Sequence, residues 1–205
     1  MRVPFRQQAT GYDCAPTSLI NALCYLFKRA QLPPYVVHRV YKDSLDHAAA
    51  RGTSSQAIME MGHWLSCYRE KRFDKFAVES SYIYGSEVHL RPTSEIVTCL
   101  GDGGAALICV HVSRYDRHCL LGLRYEGGWL YCYEPHPRTR RFIDCAAVQF
   151  IEPTAIHAPN VRIRGDWLEK DFEQVVYPHD RKYVFGSIDN RECLLLKRIH
   201  QKVPP

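Results

Sequence analysis

The strongest constraint on the fold is a change of periodicity along the chain. Between Ala15 and Tyr68 the apolar residues recur at the spacing of amphipathic helices, whereas between Phe76 and Tyr133 they form short runs typical of strands. Helices are predicted at 15–29, 35–50 and 55–68, the last capped by Thr53-Ser54-Ser55. Because the helices precede the strands and do not alternate with them, the pattern predicts an α+β fold.

The predicted sheet is centred on the apolar run from Ala105 to Val112. The next two strands are joined by Glu126-Gly127-Gly128, a sequence typical of a hairpin turn. The predicted elements are strands at 76–85, 105–112, 118–125, 129–133, 138–143, 183–188 and 193–199, a short helix at 92–100, and a short helix or turn at 144–150. We expect one domain over 1–205, with a helical lobe (1–75), a sheet lobe (76–155) and an extension (156–205) that completes the sheet.

The composition is that of a folded protein with reduced thiols. A net charge of +5 over 205 residues is too mild to argue for a nucleic-acid partner. The nine cysteines include no CxxC pair, and several lie in apolar runs where cysteine acts as a small hydrophobe. The N-terminus lacks a signal-peptide pattern and no apolar run is long enough to span a membrane, so we expect a cytoplasmic protein with no membrane partner. No cofactor or metal is expected, because Cys132 and His136 have ligand-like spacing but no second pair.

Cys14 is the candidate nucleophile because of its position. It opens the first predicted helix, where unpaired N–H groups and the helix dipole favour the thiolate, the reactive form of cysteine. Gln8 stands six residues earlier, and its amide N–H can stabilise an oxyanion at the same point. Cys24 and Cys109 lie inside a helix and a strand, so they are interpreted as buried thiols.

A cysteine nucleophile needs a base, and His118 is the candidate. It begins an apolar strand, whereas His111 lies inside the preceding strand, where a hydrogen-bonded core histidine is the expected role. Glu134 lies sixteen residues after His118, where a hairpin can bring it beside the imidazole and hold the ring in one tautomer. Other carboxylates that can take this place are Asp116, Glu126 and Asp144.

Together these residues resemble the C39-like branch of the papain-like cysteine peptidases, over about residues 5–152. The similar features are a Gln–x5–Cys–x–Pro opening, a strand-starting histidine and an acidic residue followed by proline. The resemblance implies a papain-like fold of two lobes and acyl transfer through a thioester on Cys14. It implies His118 as the base, Glu134 as the third catalytic residue, and an oxyanion hole made by Gln8 and the Cys14 N–H. Ala15 replaces the usual glycine after the nucleophile, and Glu134 replaces the usual Asp or Asn.

Three functions stay open at the level of sequence. The first is a cysteine hydrolase that acts on a peptide or isopeptide bond. The second is an acyltransferase on the same fold, in which an amine and not water resolves the thioester. The third is an inactive peptide-binding module, which the set of Gln8, Cys14 and His118 disfavours. The expected partner is accordingly a peptide or acyl-amine substrate, and the sequence does not predict an oligomeric state.

Overall fold

Helices lie on both faces of a central sheet in the computed structural model, which describes residues 1–46, 52–113, 115–137, 145–175 and 182–199. The helices are α1 (Cys14–Leu26), α2 (Pro34–Ser44), α3 (Ser55–Cys67), α4 (Glu95–Gly101) and α5 (Gly165–Leu168). Turns of 3₁₀ helix occur at Arg29–Gln31, Lys71–Phe73, Gly85–Glu87, Phe172–Gln174 and Ile188–Asn190. None of the helices described is long and apolar enough to cross a membrane.

The described part of the chain forms one sheet of seven strands, and every neighbouring pair is antiparallel. The strands are β1 (Val78–Tyr84), β2 (Ala105–His111), β3 (Arg117–Glu126), β4 (Trp129–Tyr133), β5 (Val148–Phe150), β6 (Val161–Arg164) and β7 (Glu192–Arg198). Their order across the sheet is β1-β7-β2-β3-β4-β6-β5, so β7 lies between β1 and β2. The predicted α+β class is confirmed.

Strand β2 is buried on both faces. Leu107 and Cys109 pack in a core with α1, α2 and α3, while Ile108 and Val110 pack in a second core with α4 and strands β4 to β6. Successive side chains of a strand point to opposite faces, so a strand covered on both sides must be apolar throughout. This accounts for the unbroken apolar run in the sequence.

Two predicted elements in the second half of the chain are wrong. Residues 148–150 form strand β5, which pairs with β6, where a helix or turn was expected; Asp144 lies outside the described residues. Residues 183–188 contribute only one bridge, between His111 and Val184. Tyr183 (φ 51°) and Gly186 (φ 79°) both have positive φ, a backbone conformation that no regular strand contains. The predicted strand at 138–143 lies outside the described residues, as does the end of the second helix beyond residue 46.

Candidate active site

Cys14 is the first residue of α1, at the positive end of the helix dipole. Helix α1 buries almost its whole length against the sheet, and the hydroxyl of Ser18 donates to the carbonyl of Cys119 in β3 over 3.0 Å. The pairing of β3 with β4 ends at Leu121 and Tyr133. The first residues of β3, from Arg117 to Leu120, therefore have no described strand neighbour on the β4 side. The N-terminal turn of α1 occupies this gap, which places Cys14 at the open edge of β3.

His118 lies on the same stretch of β3 and is held by Glu134. Its Nε2 lies 2.6 Å from the Oε1 atom of Glu134, and both side chains are almost completely buried. With Nε2 engaged by the carboxylate, the other ring nitrogen remains for Cys14, and the interaction between thiol and imidazole shifts the pKa values of both groups. The structure therefore brings Cys14, His118 and Glu134 together, in the order nucleophile, base and orienting carboxylate.

The length of the Glu134 side chain explains how it reaches His118. Continuing the β3–β4 register by one residue places Glu134 opposite Leu120, two residues away from His118. Such diagonal neighbours are too far apart for short side chains but within reach of long ones. The extra methylene of glutamate, compared with the Asp or Asn expected from the resemblance, serves this diagonal contact.

Polar residues from three segments fix the Glu134 carboxylate. Its Oε1 also accepts the backbone N–H of His136 (2.8 Å), and its Oε2 accepts the phenol O–H of Tyr183 (2.8 Å). Asn160 binds the main chain of Glu134 twice, accepting its N–H (2.7 Å) and donating to its carbonyl (2.9 Å). A buried carboxylate with this many donors stays ionised and holds one orientation.

Interactions across the site favour a thiolate–imidazolium pair. Hydrogen bonding from the side chain of Cys119, and then from that of His118, holds the pKa of Cys14 well below its usual range in spite of burial. Burial lowers the pKa of His118, but the charge of Glu134 and the hydrogen bond with Cys14 outweigh it and raise that pKa to about 10. Burial raises the pKa of Glu134, but the charge of His118 dominates and brings it to about 2. At neutral pH Cys14 is therefore in its nucleophilic form.

Gln8 lies beside the nucleophile and is 5 % exposed. Its backbone N–H donates to the carbonyl of Pro135 (2.8 Å), which ties this segment to the residue after Glu134. Its Nε2 donates to the carbonyl of Thr10 (2.7 Å), and an amide nitrogen carries a second N–H. Gln8 lines the same cleft as Cys14, so this second donor is placed to serve an oxyanion.

Asp13 organises the loop that carries Gln8. It occupies the N-cap position of α1, but its carboxylate makes no cap hydrogen bond. It accepts instead from the N–H groups of Ala9 (3.0 Å) and Thr10 (2.8 Å) and from the hydroxyl of Thr10 (2.7 Å). Since the Asp13 side chain does not cap the first turn, it does not occupy the N–H groups at the start of the helix, where Cys14 lines the cleft.

The site opens into a cleft of about 960 Å³. The cleft is lined by the segment before α1, including Tyr12, by the start of α3, and by the loop between β2 and β3, including Tyr115. Both tyrosines are well exposed, Tyr115 at 86 %. A cleft of this size that is open to solvent admits an extended peptide or a comparably large acyl group.

The other candidate residues have contacts that do not include His118, or lie outside the described residues, although Asp116 lines the same cleft. The carboxylate of Asp116 is exposed and accepts the hydroxyl of Ser113 (2.7 Å), and Glu126 is exposed beside Arg124. His111 lies in β2, where its pKa is lowered by burial. Neither carboxylate is placed to orient His118; Asp144 is outside the described residues. Among the residues described, no cluster of three or more His, Cys, Asp or Glu side chains is arranged to hold a metal ion.

Tyr183, Asn160 and Cys119 are functional candidates that sequence reasoning missed. Tyr183 has φ 51°, and this conformation, rare for a tyrosine, places its phenol on Glu134. Asn160 and Cys119 lie in contact with Glu134 and Cys14 respectively. Of the three, only Cys119 had a feature in the sequence that could have identified it, because it directly follows the candidate base His118.

Comparison with models of known protein families found no match, and comparison with curated proteins found none either.

Proposed function

We propose that the protein is a thiol-dependent acyl-transfer enzyme, a cysteine peptidase or isopeptidase that hydrolyses a peptide or amide bond. One observation carries the proposal. A cysteine at a helix N-terminus contacts an imidazole whose far nitrogen lies 2.6 Å from a buried carboxylate, at the base of an open cleft. This is the arrangement that activates a thiol nucleophile and fixes its base.

The proposed reaction passes through a thioester on Cys14. The thiolate attacks the substrate carbonyl, and the oxyanion of the tetrahedral intermediate accepts hydrogen bonds from the Gln8 amide and the Cys14 N–H. The imidazolium of His118 then donates its proton to the leaving amine. Water, deprotonated by His118, attacks the thioester and releases the acid. Glu134 holds the ring of His118 in one orientation throughout and stabilises its charged form.

We also propose that the fold is papain-like, with two lobes, and that the chain is a C39-like peptidase. The nucleophile on a helix, the base on a strand of the sheet and the cleft between them support this assignment. All nine cysteines are free thiols, which supports a reducing compartment such as the cytoplasm.

Selective alkylation tests the proposal. The reduced protein is treated with limiting iodoacetamide at about pH 6, where an ordinary thiol is mostly protonated, and the modified cysteine is mapped by mass spectrometry. We expect labelling of Cys14 that is lost in His118→Ala. Cys67 is an internal control, because it is exposed and contacts His63 (3.8 Å) but lies at the negative end of α3. Equal labelling of Cys14 and Cys67 would contradict the proposal.

A second measurement separates hydrolysis from transfer. An activated ester that acylates Cys14 is added, and the loss of the acyl group is followed with and without a primary amine. Hydrolysis predicts a rate that is independent of the amine, whereas transfer predicts a rate that rises with amine concentration and an amide product.

A further inference from the structure

Three thiols meet at the cleft. The Sγ of Cys119 lies 3.2 Å from the Sγ of Cys109, and an interaction with the Cys119 side chain contributes to the lowered pKa of Cys14. All three residues line the cleft, although Cys109 and Cys119 are buried and only Cys14 is partly exposed. The proposed reaction uses Cys14 alone, so the other two thiols need a separate explanation.

The backbone at Cys109 and Cys119 is suited to a disulfide. The two residues are direct partners in the β2–β3 ladder. The backbone carbonyl of Cys119 accepts a hydrogen bond from the hydroxyl of Ser18 in α1, so it points away from β2. Cys109 and Cys119 therefore form the type of antiparallel pair that exchanges no backbone hydrogen bonds. Such pairs have Cα atoms about 4.5 Å apart, within the range that a disulfide spans. The two sulfurs, 3.2 Å apart, have to approach by a little more than 1 Å to reach the length of an S–S bond, about 2.05 Å.

We propose that Cys14 is an oxidation site for hydroperoxides, that Cys119 is the thiol that resolves the oxidised form, and that Cys109 is the final partner of Cys119. The inference rests on the proposed function in one respect, the reactivity of Cys14. Its outcome is a Cys109–Cys119 disulfide and a regenerated Cys14.

The first step oxidises Cys14. Its thiolate attacks the distal oxygen of the hydroperoxide, the O–O bond breaks, and the alkoxide or hydroxide that leaves takes a proton from the imidazolium of His118. The peroxide gains two electrons and Cys14 becomes a sulfenic acid. The site is electrically suited to this step, because the thiolate and the proton donor are already paired.

Two thiol steps follow. Cys119 gives its proton to the neutral imidazole of His118 and attacks the Cys14 sulfur, so that an S–S bond forms, the S–O bond breaks, and hydroxide leaves as water with that proton. Cys109 then attacks the Cys119 sulfur and displaces the Cys14 thiolate; its proton passes to solvent in the cleft that both residues line, and the neutral imidazole takes one proton back from that solvent. The net reaction consumes one hydroperoxide and the thiols of Cys109 and Cys119. It yields one alcohol or water molecule from the hydroperoxide, a second water molecule, and one disulfide.

The state of Cys14 determines when Cys119 can react. Hydrogen bonds with Cys109 and with the Cys14 thiolate, together with burial, raise the pKa of Cys119 well above its usual range. Oxidation of Cys14 to a neutral sulfenic acid removes the negative charge on one side of Cys119. Oxidation of Cys14 therefore removes one of the interactions that disfavour the Cys119 thiolate, so Cys119 is deprotonated more readily beside the sulfenic acid it attacks.

Peptide mapping after oxidation tests the inference. The reduced protein receives one molar equivalent of hydrogen peroxide, remaining thiols are blocked with N-ethylmaleimide, and the peptides are analysed without reduction. We expect a Cys109–Cys119 link with Cys14 blocked as a thiol in the unmodified protein, and a Cys14–Cys119 link in Cys109→Ala. Cys14→Ser is expected to form neither link under these conditions.

Variants of Cys119 give a second, independent readout. With excess peroxide, Cys119→Ser and Cys119→Ala are both expected to accumulate the sulfinic acid of Cys14 at least about tenfold faster than the unmodified protein, because nothing resolves the sulfenic acid. Cys193→Ala is the matched control, since Cys193 is a buried sheet cysteine that packs in the core on the opposite side of the sheet from Cys109. It is expected to behave as the unmodified protein.

Two results would overturn the inference. One is sulfinic acid at Cys14 of the unmodified protein with no linked peptide, and the other is a Cys109–Cys119 link that forms equally fast in Cys14→Ser. Neither readout requires a substrate. Links that form as expected in a protein without hydrolase activity would contradict the proposed function alone, and hydrolase activity without links would contradict this inference alone.

Discussion

Replacing Glu134 by glutamine removes the negative charge of the carboxylate while keeping its hydrogen-bonded contacts. The amide oxygen can still accept from His118 Nε2 and from the His136 N–H, the two groups that Oε1 now serves. The amide nitrogen takes the place of Oε2 and can donate to the phenol oxygen of Tyr183, because a hydroxyl accepts as well as donates. Glu134→Gln is therefore close to a pure test of the negative charge.

The expected effect follows from the electrostatics of His118. Its pKa is about 10 because the carboxylate outweighs burial. Without the carboxylate charge the pKa of His118 falls, because burial is then opposed mainly by the contacts with Cys14, and each pKa unit of that fall costs about 1.4 kcal/mol of imidazolium stabilisation. The imidazolium is then less populated at neutral pH, and Cys14 loses part of the positive charge that helps to keep it ionised.

The measurement is the rate of Cys14 alkylation as a function of pH. For the unmodified protein we expect a rate that stays level between about pH 6 and pH 8, since the thiolate is already formed. For Glu134→Gln we expect a rate that rises with pH over the same range and is at least about tenfold lower at pH 6. Asp116→Asn is the matched control, because Asp116 is an exposed carboxylate that contacts Ser113 and not His118. A Glu134→Gln profile that superimposes on that of the unmodified protein would refute the assigned role of the carboxylate.

Two further predictions concern the oxyanion and the core. Gln8→Ala is expected to lower turnover by about 10²–10³ while leaving the rate of Cys14 alkylation unchanged, because an oxyanion donor acts on the tetrahedral intermediate and not on the thiolate; equal losses in both assays would contradict this role. Ile108→Ala, in the doubly covered strand β2, is expected to lower the free energy of unfolding by about 2–5 kcal/mol in urea, whereas Ile156→Ala, at a half-exposed position, is expected to change it by less than about 0.5 kcal/mol.

Short-range sequence patterns, such as helical periodicity and turn residues, predicted the elements whose formation depends on residues close together in the chain. Helix α1 begins at Cys14, one residue before its predicted start, because amphipathic periodicity is a local property. The hairpin of β3 and β4 follows from the turn at Gly127 and Gly128, and both glycines adopt positive φ there. Strand β6 was missed because Val161 and Ile163 alternate with arginines over only four residues, too short a run to be distinguished from a loop.

The site was predictable only where its residues belong to those local elements. His118 and Glu134 meet across one hairpin, so their approach could be expected from sixteen residues of sequence. The contact of Tyr183 with Glu134 joins residues 49 apart through a non-repetitive segment, and no periodicity anticipates it. Cys119 was overlooked for a different reason. In a chain with nine cysteines, residue type alone does not single one out, and its role depends on contacts that only the folded structure defines.

The position of Cys14 at an open edge of β3 connects the catalytic and the oxidative chemistry. Successive residues of a strand point to opposite faces, so a helix that packs on one face meets only one of His118 and Cys119. At the edge of the strand, Cys14 contacts both. The residue that follows the base His118 in the chain is therefore a thiol that interacts with the same Cys14 side chain. Because a thiolate that attacks carbonyls also attacks peroxides, a neighbouring thiol is most useful where the nucleophile is most exposed to oxidation. This arrangement gives a physical reason for a second cysteine at position 119 that packing alone does not supply.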